Sequence, residues 1–375
     1  MAKTKLAIEF SEEQETLLDI ASNFCADKSP VAKVRERLEL EGGFDPDIWK
    51  EIADLGWLGI CVPEQYGGSA LSLAEVVTIV EPMGRHLLAT PFVSTTLVAQ
   101  LLMKAGTEAQ KSTWLPKICE GAIGAMGISE AHGDWDLGNL TCMGTRDGDA
   151  VKLSGTKTFV TDAAAADIVI ASVSLDGSPA LVFLEKSDLA SGTMDKESII
   201  DETRRSYRVN LDGISVSAAN LLEMEQTGSA LTHLHLAANL LTAAEMCGGL
   251  AACLNTIIEY LNTRKQFGKL IGSYQALKHP TVDILMGLEA SRSHLYYAAS
   301  VLDDPKEGEI AVRMAKVQVN EVFSYAGDRA IQFHGGFGFT FECDAQLYRR
   351  RSLWCENQFG NAAYHRKRLA NLLLD

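Results

Sequence analysis

The sequence has little of what would tie it to metals, membranes or nucleic acids. Its 8 cysteines (Cys25, Cys61, Cys119, Cys142, Cys247, Cys253, Cys343, Cys355) are scattered and form no CxxC pair. The spacing a zinc site needs is therefore missing, no metal is expected, and reduced thiols in a cytoplasmic protein are the default. No uninterrupted apolar stretch reaches the roughly 18 residues of a membrane span. The opening MAKTKLAIEFSEEQETLLDI puts acidic residues where a signal peptide needs an apolar run. Positive charge is also in deficit, with Lys+Arg 34 against Asp+Glu 49 and a net charge of −15. Such a surface repels phosphate, which argues against a general nucleic-acid binder. A few local Arg or Lys residues can still build a site for an anionic ligand, and solubility alone accounts for the charge. Internal repeats and low-complexity segments are absent, and no Asn-Gly or Asp-Gly pair falls between Phe10 and Gly121.

What is present suits a globular α+β protein. A chain of 375 residues is too long for one small core and suits two or three units. From Phe10 to about Gly121 the pattern is helical. Ser11 is placed to cap a first helix with Glu13 and Glu15 in its opening turn. FDPDIWKEIADLG reads as a second helix stopped at Gly56, and LSLAEVVTIVEPMGR as another. Between Gly124 and Asn220 the texture changes to short β-rich runs separated by Asp147-Gly148, Asp176-Gly177 and Asp212-Gly213, the marks of an antiparallel β domain. From Ala230 long apolar helices return, as expected of a buried bundle. The expected domains are 1–122 (helical), 123–228 (β) and 229–375 (helical bundle).

Three clusters carry chemistry. Arg264-Lys265-Gln266-Phe267-Gly268 sets an Arg beside a glycine at a helix end, where a pyrophosphate can be held. A basic helix C-terminus complementing its dipole explains the same residues. Gln332-Phe333-His334-Gly335-Gly336-Phe337-Gly338-Phe339 lets backbone approach a ligand, or forms an ordinary helix–helix corner. Ile128-Ser129-Glu130 with Phe159-Val160-Thr161 can stack on and hydrogen-bond a planar ring, although Phe159 also suits a core and Thr161 a strand.

In their order, these clusters and Leu55-Gly56-Trp57, Pro63-Glu64-Gln65-Tyr66-Gly67-Gly68, Gln275 and Thr340 resemble the acyl-CoA dehydrogenase family over essentially the whole chain. The resemblance implies an N-terminal helical domain, a middle β domain and a C-terminal four-helix bundle. It implies FAD held between the β domain and the bundle, with Ile128, Ser129, Phe159 and Thr161 at the flavin ring. Arg264, Gln266 and Phe267 match pyrophosphate and adenine contacts. Gln332, Gly335 and Gly336 match the segment that reaches a neighbouring subunit's FAD, which implies a homo- or hetero-tetramer. The implied reaction is α,β-dehydrogenation of an acyl-CoA to a 2-enoyl-CoA, with an electron-transfer flavoprotein as electron acceptor.

That reaction needs a carboxylate to take the α proton. Family members place it either in the loop after the Gly-Gly-x-Gly-Phe segment or near the start of the first long C-terminal helix. Here Gln358 or Phe359 occupies the first place and Ala238-Asn239 the second. Two carboxylates stand in as candidates. Glu245 lies seven residues beyond Ala238, on nearly the same helix face and about 10 Å along the axis. A buried Glu hydrogen-bonded between helices explains Glu245 equally. Glu356 lies two residues before Gln358 in an expected loop, where a solvated Glu is the alternative. Glu130 is read as structural. The tail Phe359-Gly360-Asn361-Ala362-Ala363-Tyr364-His365-Arg366 resembles bacterial members that degrade steroid side chains or rings. Those members have a displaced base and often work as two different subunits. The alternative function is therefore a non-catalytic or half-catalytic subunit of a heteromeric dehydrogenase.

Overall fold

A computed structural model describes residues 10–189 and 193–374. The first nine residues, read above as part of a segment without a signal-like apolar run, lie outside the described residues. In chain order the elements are α1 (Glu12–Lys28), α2 (Val31–Arg37), α3 (Pro46–Asp54), α4 (Leu73–Arg85), α5 (Phe92–Ala105) and α6 (Glu108–Cys119). The β region follows: β1 (Gly124–Gly127), β2 (Met143–Asp147), β3 (Ala150–Ser154), β4 (Thr156–Thr161), β5 (Ile168–Leu175), β6 (Ser178–Glu185), β7 (Met194–Lys196), β8 (Ser206–Asn210) and β9 (Ser215–Ser217). Then come α7 (Thr227–Thr263), the short strands β10 (Lys265–Gln266) and β11 (Lys269–Leu270), α8 (Gln275–Val301), α9 (Gly308–His334), α10 (Ala345–Asn357) and α11 (Ala362–Leu374).

The chain forms two compact units. The first comprises Met1–Val34, Leu73–Leu88 and Asn239–Asp375; the second comprises Arg35–Ser72 and Ala89–Ala238. In the first unit α1 starts as its sequence implies. The Ser11 hydroxyl accepts from the Gln14 amide, and the Gln14 side chain accepts from the Ser11 amide, forming a capping box. Helix α4 lies against α7 with backbones nearly touching: a Cβ on Gly84 would stand 2.0 Å from the Glu245 carbonyl oxygen, and one on Gly248 1.8 Å from that of Glu81. Glycine is required at both positions because the helices meet there without intervening side chains. Buried Glu81 completes this packing, accepting from Arg292 Nε at 2.7 Å and the Tyr296 hydroxyl at 2.5 Å on α8.

In the second unit the sheets are mixed rather than purely antiparallel. A six-stranded sheet runs β1-β5-β2-β3-β9, with β6 also paired to β5, and a three-stranded sheet runs β4-β8-β7. Two of the three Asp-Gly pairs close antiparallel hairpins, Asp147-Gly148 between β2 and β3 and Asp176-Gly177 between β5 and β6, the latter with φ of 54° and 80°, whereas Asp212-Gly213 joins β8 to β9 across two different sheets. Strands β1 and β2, however, pair with β5 in parallel. Turn chemistry reports local hairpins only, so these non-local pairings left no sequence signal.

Two further differences sit at the C-terminal end. Glu356, expected in a loop, lies instead in the last turn of α10, and a further helix, α11, follows it. Helix α9 packs against α8, α10 and α11. Averaged hydropathy makes Met224–Thr263 long and apolar enough to cross a membrane, but 83% of its apolar window is buried inside the fold. Thr, His and Asn interrupt the run, so no uninterrupted apolar stretch of that length exists in it.

Candidate active site

The aromatic-and-hydroxyl cluster is assembled in the second unit by strand pairing. The Thr158 amide donates to the Ser129 carbonyl at 3.0 Å, and Glu130 bridges Lys157, so the end of β1 lies along β4. The β4–β8 register shifts between Lys157 and Val160, a bulge that re-aims the intervening residues. Phe159 sits in that bulge at φ 54°, with 49% of its surface exposed, and its amide donates to Glu197 Oε2 at 2.9 Å. A bulky residue on left-handed backbone is strained and persists where its surroundings over-determine it. Ile128 is buried, and Thr161 is half-buried at the strand end opposite Ser206. Strand pairing therefore sets Ser129 beside Thr158, next to Phe159, with Ile128 preceding Ser129 in the chain and Thr161 ending β4.

Beneath these strand ends lies a buried ion pair. Lys157 Nζ, fully buried, donates to Glu130 Oε1 at 2.6 Å and to the Ser172 hydroxyl at 3.1 Å. Glu130 also accepts from the Thr141 amide at 2.7 Å and the Thr141 hydroxyl. Burial pushes the Glu130 carboxyl up, but the hydrogen bonds from Lys157 and Thr141 outweigh it and hold the group down at about 2. Glu130 is thus a strut under the flavin-matching strand ends, in line with its structural reading.

In the first unit the basic cluster forms a tight hairpin. Strands β10 and β11 pair antiparallel around Phe267 and Gly268, at φ 53° and 79°. Phe267, at the tip, is 86% exposed, and Arg264 and Gln266 are exposed at its base. The glycine-rich segment ends α9: Gly335 takes φ 60° and ψ −138°, a conformation open to glycine alone. A Cβ on Gly335 or Gly336 would meet nothing within 4 Å, so these glycines face open space and not a neighbouring helix. Tyr260, which sequence reasoning passed over, ties the basic cluster to His334 of the glycine-rich one. Their rings stack at 4.1 Å, one turn before Arg264 and one residue before Gly335. Tyr260 sits beside a named motif, the only signal that could have found it.

Asn239 and Gln358-Phe359, from the two stretches where the resemblance leads one to expect a base, lie in the same unit. Asn239 Nδ2 donates to the Phe359 carbonyl at 3.2 Å, so the helix locus and the loop locus touch. Phe359 is held at φ 55°. Neither locus offers a carboxylate. Glu245 is 7% exposed and accepts from Nη1 of fully buried Arg351 on α10, the arrangement described above as its non-catalytic alternative. Glu356 lies half-buried in the last turn of α10, not in a loop. The adjacent carbonyl of Cys355 accepts from Lys316 Nζ at 2.6 Å.

Comparison with known proteins places these features in a family setting. Residues 11–122 match the family model "Acyl-CoA dehydrogenase, N-terminal domain", and 230–374 match "Acyl-CoA dehydrogenase, C-terminal domain". The chain is similar to a probable acyl-CoA dehydrogenase, YngJ, of Bacillus subtilis (strain 168), at 28% identity over 98% of this chain and 99% of the relative. It is similar to the caffeyl-CoA reductase-Etf complex subunit CarC of Acetobacterium woodii, at 28% identity over 91% of this chain and 93% of the relative. Among solved structures it resembles a variant of the steroid ACAD Tcur3481–Tcur3483, with TM-score 0.86, 26% identity and coverage of 96% and 98% of the two chains.

Proposed function

Because the chain belongs to the acyl-CoA dehydrogenase family of oxidoreductases acting on CH–CH bonds, we propose that it carries out FAD-dependent α,β-dehydrogenation of an acyl-CoA to a 2-enoyl-CoA. The observation that carries this reading is that Phe159 and Phe267, the aromatics at flavin-matching positions, are both exposed on left-handed backbone. Exposed rings on strained turns are costly unless a ligand covers them. The residues fit a flavin dinucleotide: aromatic faces and hydroxyls for a planar ring, Arg264 and Gln266 for a pyrophosphate, and open glycine backbone at Gly335-Gly336. When bound, FAD supplies the acceptor for the hydride that leaves the β carbon.

The chain's own part is to bind the thioester and take the α proton. Glu245 is the candidate base, buried, with Arg351 donating to one of its oxygens; Glu356 is the second candidate. By analogy with the relative from an Etf complex, the electrons pass to an electron-transfer flavoprotein. A tetramer in the cytoplasm is part of the same reading.

A second reading is favoured by one specific observation, the Asn239–Phe359 hydrogen bond that joins two base positions lacking a carboxylate. In this reading the chain is the non-catalytic or half-catalytic subunit of a heteromer, and its acyl group is steroid-derived, as the steroid ACAD relative suggests. Stopped-flow flavin reduction by a panel of acyl-CoA thioesters separates the two. Under the first reading the purified chain is an active homo-oligomer, and Glu245→Gln slows reduction by about 10²–10⁴-fold, the usual worth of a general base. Full turnover in Glu245→Gln removes that assignment, and activity only beside a co-purified second chain selects the heteromer.

A further inference from the structure

The turn Gln358–Gly360, between α10 and α11, is strained and unusually well anchored. Phe359 has φ 55° and Gly360 φ 116°. A Cβ on Gly360 would lie 2.5 Å from the Tyr364 ring and 2.7 Å from His365 Nε2, so the turn is pressed against the start of α11. Two helices grip it. From α9, Lys316 donates to the Cys355 carbonyl at 2.6 Å, just before the turn, and Arg313 Nη1 meets His365 Nδ1 at 3.1 Å, just after it. From α7, Asn239 donates to the Phe359 carbonyl at its centre. Arg313 and Lys316 are three residues apart on α9 and so share a face.

Lys316 is the unusual member. It is fully buried, and its placement costs desolvation of an ammonium that no surface lysine would bear. Its nearest compensation is the last-turn carbonyl of α10, where the helix dipole favours a cation, with Glu245 and Glu356 nearby. The same carbonyl accepts from the Gln358 amide at 3.2 Å, so the lysine acts on the atom from which the turn starts.

We propose that Lys316 is a positioning residue of the acyl site: with Asn239 it holds the Gln358–Gly360 turn in a single strained geometry, ready for the thioester. This rests on reading the chain as an acyl-CoA dehydrogenase. The role is distinct from proton transfer, because Lys316 bonds the backbone carbonyl from which the turn starts and no side chain within the turn.

Hydrogen–deuterium exchange on the FAD-loaded full chain tests it, read over peptides covering 355–362 in wild type, Lys316→Met, Lys316→Arg and Asn239→Ala. Loss of an anchor should raise exchange at the Gln358 amide about tenfold, the factor set by one lost hydrogen bond. Lys316→Arg should restore most of the protection. In parallel, stopped-flow flavin reduction by octanoyl-CoA and a steroid side-chain CoA should slow in Lys316→Met with an unchanged Kd. Unchanged exchange in Lys316→Met while wild-type flavin is reduced overturns the proposal alone, as does an Lys316→Arg chain as loose as Lys316→Met. A wild type reduced by no acyl-CoA overturns it together with the reading it rests on. Should Lys316→Met fail to fold, Asn239→Ala and Lys316→Arg decide: a loosened turn in the first and a protected one in the second support the proposal, and the reverse overturns it.

Discussion

Glu130 and Lys157 show how the strand ends around Ser129 and Phe159 depend on a buried ion pair beneath them. Removing one partner of a buried pair leaves an uncompensated charge, so Lys157→Met should cost about 3–5 kcal/mol in urea unfolding. Glu130→Gln paired with Lys157→Met should recover much of that loss. Because folding depresses the Glu130 carboxyl from 4.5 to about 2, its contribution is present above pH 4.5 and is lost as pH falls through 2. Lys316 has the same sign at the other end of the scale. Burial lowers its ammonium from 10.5 to about 8, opposed by the charges of Cys355, Glu356 and Glu245. Its contribution is therefore fully present above pH 10.5 and gone below about 8, with unfolding free energy rising between those limits by roughly 3 kcal/mol. Chemical denaturation at pH 7.5 and 10 in wild type and Lys316→Met checks this, since the variant should lack the rise. Glu245 was legible from its apolar neighbours as a buried carboxylate; its partner Arg351, 106 residues away, was not, because spacing says nothing about contacts between distant helices.

At the scale of elements, the hairpin of β10 and β11 and the bulge in β4 are where local geometry is bent toward function. Phe267 is mostly exposed, so its side chain adds little to the fold, while its left-handed backbone costs about 1 kcal/mol. Phe267→Gly should leave the thermal midpoint of the FAD-free protein unchanged or slightly higher, and should raise the rate at which FAD is lost. A lower midpoint with normal FAD retention would assign the residue to folding instead. Periodicity located α1, α3, α4 and α7 well, since apolar spacing and caps are local signals. It did not place the end of α10, where Glu356 was expected in a loop, because the residues around it give too weak an apolar stripe to register. The parallel pairings of β1 and β2 with β5 were equally silent, being fixed by long connections and not by turn residues.

For the whole molecule, the order of helices, β domain and helices was readable because composition changes sharply near Gly124 and again near Ala230, and the family motifs agreed with it. The residues that the resemblance matches to flavin contacts were found through motifs, some in each unit. The proton acceptor was not legible in the same way, because Asn239 and Gln358 stand where the resemblance leads one to expect a carboxylate, and no local rule says which distant carboxylate would replace it. The most direct measurement is anaerobic titration of the FAD-loaded protein with acyl-CoA thioesters from short-chain to steroid-derived, following flavin absorbance, alone and beside a co-purified partner chain. Stoichiometric bleaching by at least one thioester, with 2-enoyl-CoA formed, is the predicted result. Flavin that stays oxidised with every thioester, with and without the partner, would contradict the assignment.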